Sequence, residues 1–353
     1  MAGSFQTQRT RSVMVASSVD PANRQRDYDA IKSGAGLVFL DNRLVVRVSG
    51  DDRISFLHGM CTADVKSLAP GKLARALFLT EHAHVIADCF IYALEEHALW
   101  LEVEQPRWAA IREHLERFLV ADDVELEELD MVGMLDVEGP ASIDVVAESV
   151  GDAARKLGQW QHLKCDGFRV ANLPRYGGPA FTLIAERAAL ASLAERTKQL
   201  RPEIRELNAQ TLEAVRVENG LALIGRDTDE RTLALEARLE PAIAFDKGCY
   251  VGQETIERAT ARGSLKRRLY GLRIAGNEMP SPGALVQLGS KQVGRLTSVA
   301  PSPAAGIIGL AILHHSAWAM GTRVSVIGDK GTISGFVCEL PFGQCGPGAT
   351  SEA

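Results

Sequence analysis

The sequence of 353 residues contains no apolar run near the roughly 20 residues that a membrane-spanning helix needs. It has no basic excess either, because 39 Lys and Arg residues face 45 Asp and Glu residues and the net charge is −6. Proteins that coat nucleic acid are usually basic, so any contact with nucleic acid is expected to be local. We therefore expect a cytoplasmic chain that makes no contact with a membrane. The acid-free first nineteen residues, with Arg9 and Arg11, leave a mitochondrial address as the alternative.

The six cysteines form no C-x-x-C pair, and their spacing matches no zinc motif. We expect free thiols in a reducing compartment and no metal site. The sequence also lacks a phosphate-binding P-loop, a G-x-G-x-x-G turn, a G-x-S-x-G elbow and an H-E-x-x-H pair. Kinase, dinucleotide-dependent dehydrogenase, serine hydrolase and zinc protease activities therefore have no support.

Strand and helix patterns alternate in two blocks of similar size, the second of which begins near Val132. The first block opens with a helix over residues 27–33, and the acidic residues 122–130 are predicted to form a solvated linker. From Leu265 onward, short β-like runs separated by Gly and Pro predict a compact antiparallel barrel or sandwich. The pattern predicts an α+β fold of two related α/β lobes followed by a C-terminal antiparallel β-barrel.

We divide the chain on this basis into a flexible N-terminus over residues 1–26, two interleaved lobes over 27–264, a barrel over 265–341 and a loose tail over 342–353.

The strongest local signal is the segment K-G-C-Y-V-G-Q-E, formed by Lys247, Gly248, Cys249, Tyr250, Val251, Gly252, Gln253 and Glu254. Its two glycines permit tight backbone geometry and the close approach of a ligand. Lys247 could lower the pKa of the Cys249 thiol, because a nearby cation favours thiolate. The alternative is a Gly-rich turn between lobe and barrel with a packed cysteine.

A basic cluster follows this segment in an otherwise acidic protein. It suits a polycarboxylate tail, a phosphate or a short stretch of RNA, and a solvated hinge is the alternative. Its members are Arg258, Arg262, Lys266, Arg267 and Arg268.

Two carboxylates are further candidates for a binding site. Asp88 lies in an apolar strand, where an unpartnered carboxylate costs on the order of several kcal/mol, so a cleft position is favoured. Glu218, beside Arg216 at a predicted helix end, could accept paired hydrogen bonds from an amino-pyrimidine ring.

Together these segments resemble the aminomethyltransferase (glycine-cleavage T-protein, GcvT) superfamily. They resemble more narrowly its YgfZ branch, the folate-binding proteins connected with iron–sulfur cluster maintenance and tRNA modification. Residues 247–254 match that branch's K-G-C-[YF]-x-G-Q-E signature at every position. Residues 51–65 are similar to the family's F-L-Q-G…N-D-V segment, and residues 216–220 to its R-x-E-x-G stretch. The resemblance runs from about Tyr28 to Leu340.

The resemblance implies three subdomains in a cloverleaf ring, with tetrahydrofolate or a one-carbon derivative in a central hole and the barrel closing one side. Glu218 would anchor the pterin, with Arg216 beside it. Asp88 would lie next to the folate nitrogens, and Tyr92 would line the same strand. Cys249 would be a thiol near the pocket mouth.

One departure concerns activity. The transferases usually show G-G-x-x-D-D where residues 83–88 read A-H-V-I-A-D, so both glycines and one acid are absent. The leading hypothesis is a tetrahydrofolate-binding protein that supports iron–sulfur cluster assembly or repair, and thereby tRNA modification, through a redox-active or cluster-contacting Cys249. Its partners would include iron–sulfur proteins or cluster-assembly factors. The alternative is a folate-dependent aminomethyltransferase or demethylase with Asp88 as catalytic carboxylate.

Overall fold

The computed structural model describes residues 20–95, 97–263, 265–328 and 331–344. Within these residues no helix combines the length and the apolar character that crossing a bilayer demands. The helices are α1 Pro21–Ser33, α2 Arg53–Met60, α3 Gln105–Phe118, α4 Ser142–Val150, α5 Arg187–Leu200, α6 Ala209–Glu218 and α7 Gln253–Arg262.

Sixteen strands are present in the described residues. They are β1 Gly36–Phe39, β2 Arg43–Ser49, β3 Leu73–Leu79, β4 Val85–Ala93, β5 Leu99–Glu104, β6 Glu125–Glu128, β7 Val132–Glu138, β8 Gln161–Cys165, β9 Phe168–Asn172, β10 Ala180–Glu186, β11 Arg267–Ile274, β12 Leu285–Leu288, β13 Lys291–Ser302, β14 Gly306–His314, β15 Arg323–Gly328 and β16 Gly331–Cys338.

The first lobe is an antiparallel sheet in the order β3-β4-β5-β2-β6. Helix α3 packs on it through Trp108, Ile111 and Leu115, which recur at helical spacing and are all buried. Helix α2 contributes Phe56 and Leu57 to the same core. This core fixes the loop that follows α2, which carries part of the candidate site.

The second lobe is an antiparallel sheet in the order β1-β7-β10-β9-β8, with α4 and α5 packed on one face. Its edge strand β1 precedes every strand of the first lobe in the sequence, so the two lobes are interleaved. A bridge between Lys72 and Gln161 joins the two sheets, and Phe90, Tyr92 and Leu173 belong to an apolar cluster shared by both.

The C-terminal strands close into a six-stranded antiparallel barrel in the order β11-β14-β13-β12-β15-β16. Gly309 on β14 lies against Leu296 of the neighbouring strand β13, where an added Cβ would lie 2.5 Å from that side chain. The predicted α+β class, with two sheet-based lobes and a C-terminal antiparallel barrel, is confirmed.

Several local predictions need correction. The acidic residues 122–130 are not all linker, because Glu125–Glu128 pairs with β2 as an edge strand whose charged side chains reach water. The helical pattern of residues 141–157 predicts one helix, but α4 ends at Val150, where Gly151 adopts φ +111°. Strand β8 was not predicted.

The predicted ends also differ from the structure. Helix α1 begins at Pro21 behind an Asp20 cap, so part of the segment expected to be flexible is helical. Phe342, in the segment expected to be loose, is buried beside Leu269 and Leu340. Residues 1–19 and 345–353 lie outside the described part of the chain.

Candidate functional site

The segment 247–254 packs against the loop that follows α2. The Lys247 ammonium donates hydrogen bonds to the carbonyl oxygens of Cys61 and Ala63, both at 2.7 Å, and to that of His58. The Val251 amide donates to the Gly59 carbonyl at 3.1 Å. The segment 247–254 and the loop after α2, whose contacts span 184 to 189 residues of sequence, therefore form one unit.

This geometry gives Lys247 a structural role that was not predicted from the sequence. Among the described residues its ammonium contacts three carbonyl oxygens and the face of Tyr250, 5.0 Å from the ring centroid, and not Cys249. Burial lowers the pKa of Lys247 and raises that of the Tyr250 hydroxyl to about 12. The charge of Lys247 also acts on the Cys61 thiol, yet burial dominates there and raises the pKa of Cys61 to about 11.

The rest of the segment divides into buried and exposed parts. Gly252 has φ +89°, and an added Cβ would lie 2.7 Å from the Thr80 carbonyl oxygen, so the position requires glycine. Gly248 is exposed and lacks this constraint. Cys249 is exposed, whereas Cys61 and Cys89 are buried.

Helix α7 begins directly after Gly252. Gln253 donates to Glu257 at 2.7 Å and accepts from the Tyr250 amide, which stabilises the first turn. Glu254 points into solvent beside Arg258, 4.0 Å away. The segment therefore presents one exposed thiol on a rigid turn.

Asp88 lies on β4 and is paired with Arg75 of the neighbouring strand β3. The guanidinium donates two hydrogen bonds, of 3.1 and 2.7 Å, to the same oxygen, Asp88 Oδ2. Burial alone would raise the pKa of Asp88, but Arg75 and the nearby Arg43 bring it below its usual value. The side chain is 14% exposed, so it faces a nearly closed space as an ionised carboxylate.

A buried charge network adjoins this pair at the junction of the two lobes. Arg175 forms ion pairs of 2.7 Å with Glu102 from the first sheet and with Asp136 from the second. Arg43 also pairs with Glu102. Tyr92 was expected to line the site, but it is fully buried and donates a 2.6 Å hydrogen bond to Glu102.

Glu218 and Arg216 lie on α6, and both side chains are already engaged. Glu218 accepts hydrogen bonds from Tyr28, at 3.0 Å, and from Ser302, and it pairs with Lys32 at 3.1 Å. Its carboxylate thus joins α1, α6 and the barrel.

Arg216 turns away from this carboxylate and toward the barrel. It pairs with Asp227 at 2.6 Å and donates to Ser298 Oγ, also at 2.6 Å. Arg216 is therefore a buried cation that ties α6 to the loop at Asp227 and to the barrel.

A cavity of about 300 Å³ connects the Asp88 pair with the loop that follows α2. It is lined by Ala63, Asp64, Leu73, Ala74, Arg75, Trp160, Pro241, Ala242, Ile243 and Ala244. Trp160 supplies an aromatic wall and Arg75 a cation. No described hydrogen bond or ion pair links Asp88 directly with Glu218 or with Cys249.

The basic residues predicted to form a cluster after residues 247–254 do not all lie on one surface. Arg267 pairs with Glu236 at 2.9 Å and Arg268 with Glu240 at 3.0 Å, so both are tied to acids between lobe and barrel. Lys266 is exposed, and Arg258 lies on the outer face of α7. The side chain of Arg262 lies outside the described residues.

Sequence reasoning missed several residues that surround the predicted ones, namely Arg43, His58, Arg75, Glu102, Asp136, Trp160 and Arg175. A signal existed for some of them. Arg75 and Glu102, like Asp88, interrupt strands of otherwise apolar residues, where a charge is stable only beside an opposite one. Their pairing could not be read from spacing, because it depends on strand register.

Comparison with known proteins bears on the whole chain. Residues 5–247 match the GCVT N-terminal domain, and residues 267–343 match the glycine cleavage T-protein C-terminal barrel domain. A chloroplastic Arabidopsis thaliana protein named "Putative transferase" is 30% identical over 329 residues, covering 91% of this chain and 74% of that protein. The aminomethyltransferase of Symbiobacterium thermophilum is 25% identical over 331 residues, covering 90% of this chain and 88% of that enzyme.

A solved structure shows the same fold. The glycine cleavage system aminomethyltransferase T from Bartonella henselae superposes with a TM-score of 0.83 at 20% identity, covering 91% of this chain and 90% of that one. The two lobes and the barrel therefore have the same arrangement in both proteins. The chain belongs to the glycine cleavage T-protein (GcvT) family.

Proposed function

We propose that this protein is a YgfZ-type member of its family, which binds tetrahydrofolate or a one-carbon derivative and supports the assembly or repair of iron–sulfur clusters, and thereby tRNA modification. The observation that carries the proposal is the exposed Cys249 on a turn held in place by Lys247 and Gly252. The structure uses a buried ammonium and an obligatory glycine to present this thiol to solvent. A cysteine with only a packing role would not need such support.

Folate binding is supported by the cavity beside Arg75. Its volume of about 300 Å³ falls at the lower end of the range of roughly 300–1,000 Å³ typical of small-molecule sites. Trp160 offers a surface for an aromatic ring, and Arg75 offers a cation for a carboxylate. Asp88 does not line the cavity but orients the Arg75 guanidinium that does. When bound, tetrahydrofolate would supply ring nitrogens able to carry a one-carbon unit.

A second candidate is a folate-dependent aminomethyltransferase or demethylase, favoured by the names of the relatives and by Asp88. Its weakness is the Arg75–Asp88 pair. General base catalysis works best when the pKa of the base lies near the working pH, and Arg75 and Arg43 lower the pKa of Asp88. Asp88 is therefore better placed to orient a ligand than to take its proton.

Calorimetric titration with tetrahydrofolate tests the binding step that both candidates share. We expect heat of binding with the wild type, weaker binding with Arg75→Met, and no change with Lys156→Met on the exposed surface of the second lobe. Absence of binding to the wild type would reject both candidates.

Complementation of a strain deficient in iron–sulfur enzyme activity then separates the two candidates. Under the proposed function Cys249→Ala fails to complement and Asp88→Asn retains partial function. The reverse order, together with formation of methylenetetrahydrofolate from an aminomethyl donor, would establish the transferase instead.

A further inference from the structure

A groove of about 560 Å³ runs between the loop at residues 226–232 and the start of barrel strand β13. Four cationic side chains line it: Arg226, Arg267, Lys291 and Arg295. The groove is separate from the cavity beside Arg75, because the two share no lining residue. No role in the proposed function falls on this surface.

The charge balance within the groove is positive. Two carboxylates line the groove. Asp227 forms an ion pair with Arg216 at 2.6 Å, and Asp229 accepts hydrogen bonds from the Arg231 amide and the Thr232 hydroxyl of its own loop. Lys291 and Arg295 are exposed, and within the described residues neither pairs with a carboxylate. The other two cations of the groove are already paired, Arg226 with Glu213 at 3.0 Å and Arg267 with Glu236 at 2.9 Å. Lys291 and Arg295 therefore carry the open positive charge of this surface in a chain whose net charge is −6.

Aromatic rings extend the groove at the end of β14. The rings of His314 and His315 lie with centroids 4.1 Å apart, and Trp318 lies 6.3 Å from His315. Lys291 and His314 line the same groove, and the His315 amide donates to the Lys266 carbonyl at 2.9 Å. Desolvation, followed by the charges of His315, Lys291 and Lys266, lowers the pKa of His314.

We propose that this groove binds single-stranded nucleic acid, with Lys291 and Arg295 contacting phosphates and the His315 ring stacking on a base. Cations along an extended strand near the exposed ring of His315 match the recognition of single strands, in which positive side chains follow the backbone while rings stack on bases. A small polyphosphate fits less well. Such ligands favour a helix N-terminus or a nest of backbone amides, and the groove is lined by strand and loop residues.

Binding of a fluorescein-labelled 12-nucleotide oligouridylate to the full-length protein, followed by anisotropy, tests this inference. For the wild type, the logarithm of affinity should fall linearly with the logarithm of the salt concentration, with a slope of about −0.7 for each phosphate contacted. The double variant Lys291→Glu/Arg295→Glu should bind about tenfold more weakly or worse, and its salt slope should be shallower by about 1.4.

The variant Lys156→Glu is the control, since it makes one such charge reversal, half the charge change of the double variant, at an exposed position in the second lobe. It should bind like the wild type, and thermal melts should show that the groove variants remain folded. His315→Ala should lose about fivefold or more in affinity with an unchanged salt slope, because stacking releases no counterions.

Competition identifies the ligand class. Unlabelled 12-nucleotide oligothymidylate should displace the probe, whereas inorganic triphosphate at the same total phosphate concentration should not. Equal displacement by triphosphate would overturn the assignment in favour of a small polyphosphate. Equal loss of affinity in Lys156→Glu and in the double variant would show that no specific groove exists.

Discussion

The Arg75 guanidinium holds one oxygen of Asp88 with two hydrogen bonds, of 3.1 and 2.7 Å, across adjacent strands of the first lobe. Neither charge is stable alone in this position, because the side chains are only 22% and 14% exposed. The pair therefore sets both the stability of the sheet and the protonation state of the carboxylate.

Arg75→Met should destabilise the protein by about 3 kcal/mol at pH 7, because it leaves an uncompensated carboxylate in the sheet. Urea denaturation followed by circular dichroism measures this loss. Arg75→Met/Asp88→Leu should recover most of it, because an apolar pair often replaces a buried ion pair without cost. A double variant no more stable than Arg75→Met would show that the charge is not the cause.

The same pair predicts a dependence on pH. The pKa of Asp88 is lower in the folded protein than in the unfolded chain, so its stabilisation is present above the unfolded pKa, about 4. The stabilisation is lost as the pH falls through the lower, folded pKa. The stability difference between wild type and Asp88→Asn should therefore be constant from pH 7 to 5 and shrink below about pH 4. A difference that instead changes between pH 5 and 7 would contradict the lowered pKa.

Lys247→Met should cost roughly 3 kcal/mol, because three carbonyl oxygens of the loop after α2 would lose their donor. The exposed Lys156→Met should change the free energy of unfolding by less than about 0.5 kcal/mol. Equal unfolding midpoints for the two variants would remove the basis for treating Lys247 as the support of this loop.

The two glycines of the segment should respond differently to alanine. Gly252→Ala forces a Cβ to 2.7 Å from the Thr80 carbonyl oxygen at φ +89° and should lower stability by more than about 1 kcal/mol. At Gly248 the added Cβ would lie 3.5 Å from His58 Nε2, an ordinary contact, so Gly248→Ala should be tolerated. Thermal unfolding of the two variants side by side gives the comparison.

Alkylation should distinguish the thiols. Cys249 is exposed, whereas Cys61 is buried with its pKa raised to about 11. In the native protein near neutral pH, iodoacetamide should alkylate Cys249 well before Cys61 or Cys89. Peptide mapping of samples taken over time measures this order. Labelling of Cys61 at a similar rate would mean that the loop beneath Lys247 opens readily.

Much of the architecture could be predicted from the sequence, because local patterns fix local structure. The alternating runs of the barrel and the buried face of α3 at Trp108, Ile111 and Leu115 both read directly from periodicity. Strand β6 could not be read in this way. Its glutamates look like a solvated linker, and only pairing with β2 makes them a strand.

The candidate site was predicted less completely than the fold. The segment 247–254 and Asp88 stand out in the sequence, but their partners are set by long-range packing. The contact of Lys247 with the carbonyl oxygens of Cys61 and Ala63 spans more than 180 residues, as the separations of 186 and 184 show. The support that Lys247 gives to the loop after α2 could not be predicted for this reason.

The position of β1 in the second sheet has a consequence for synthesis on the ribosome. The strand emerges before the first lobe, yet its partner β7 begins at Val132, 93 residues after Phe39. At typical elongation rates this gap lasts about 5 to 20 s. Throughout that interval Gly36–Phe39 is an apolar strand without a sheet, while the first lobe, whose last strand ends at Glu128, is still being synthesised. Until the second lobe has been synthesised, the nascent chain must keep the unpaired edges of β1 from pairing with other strands.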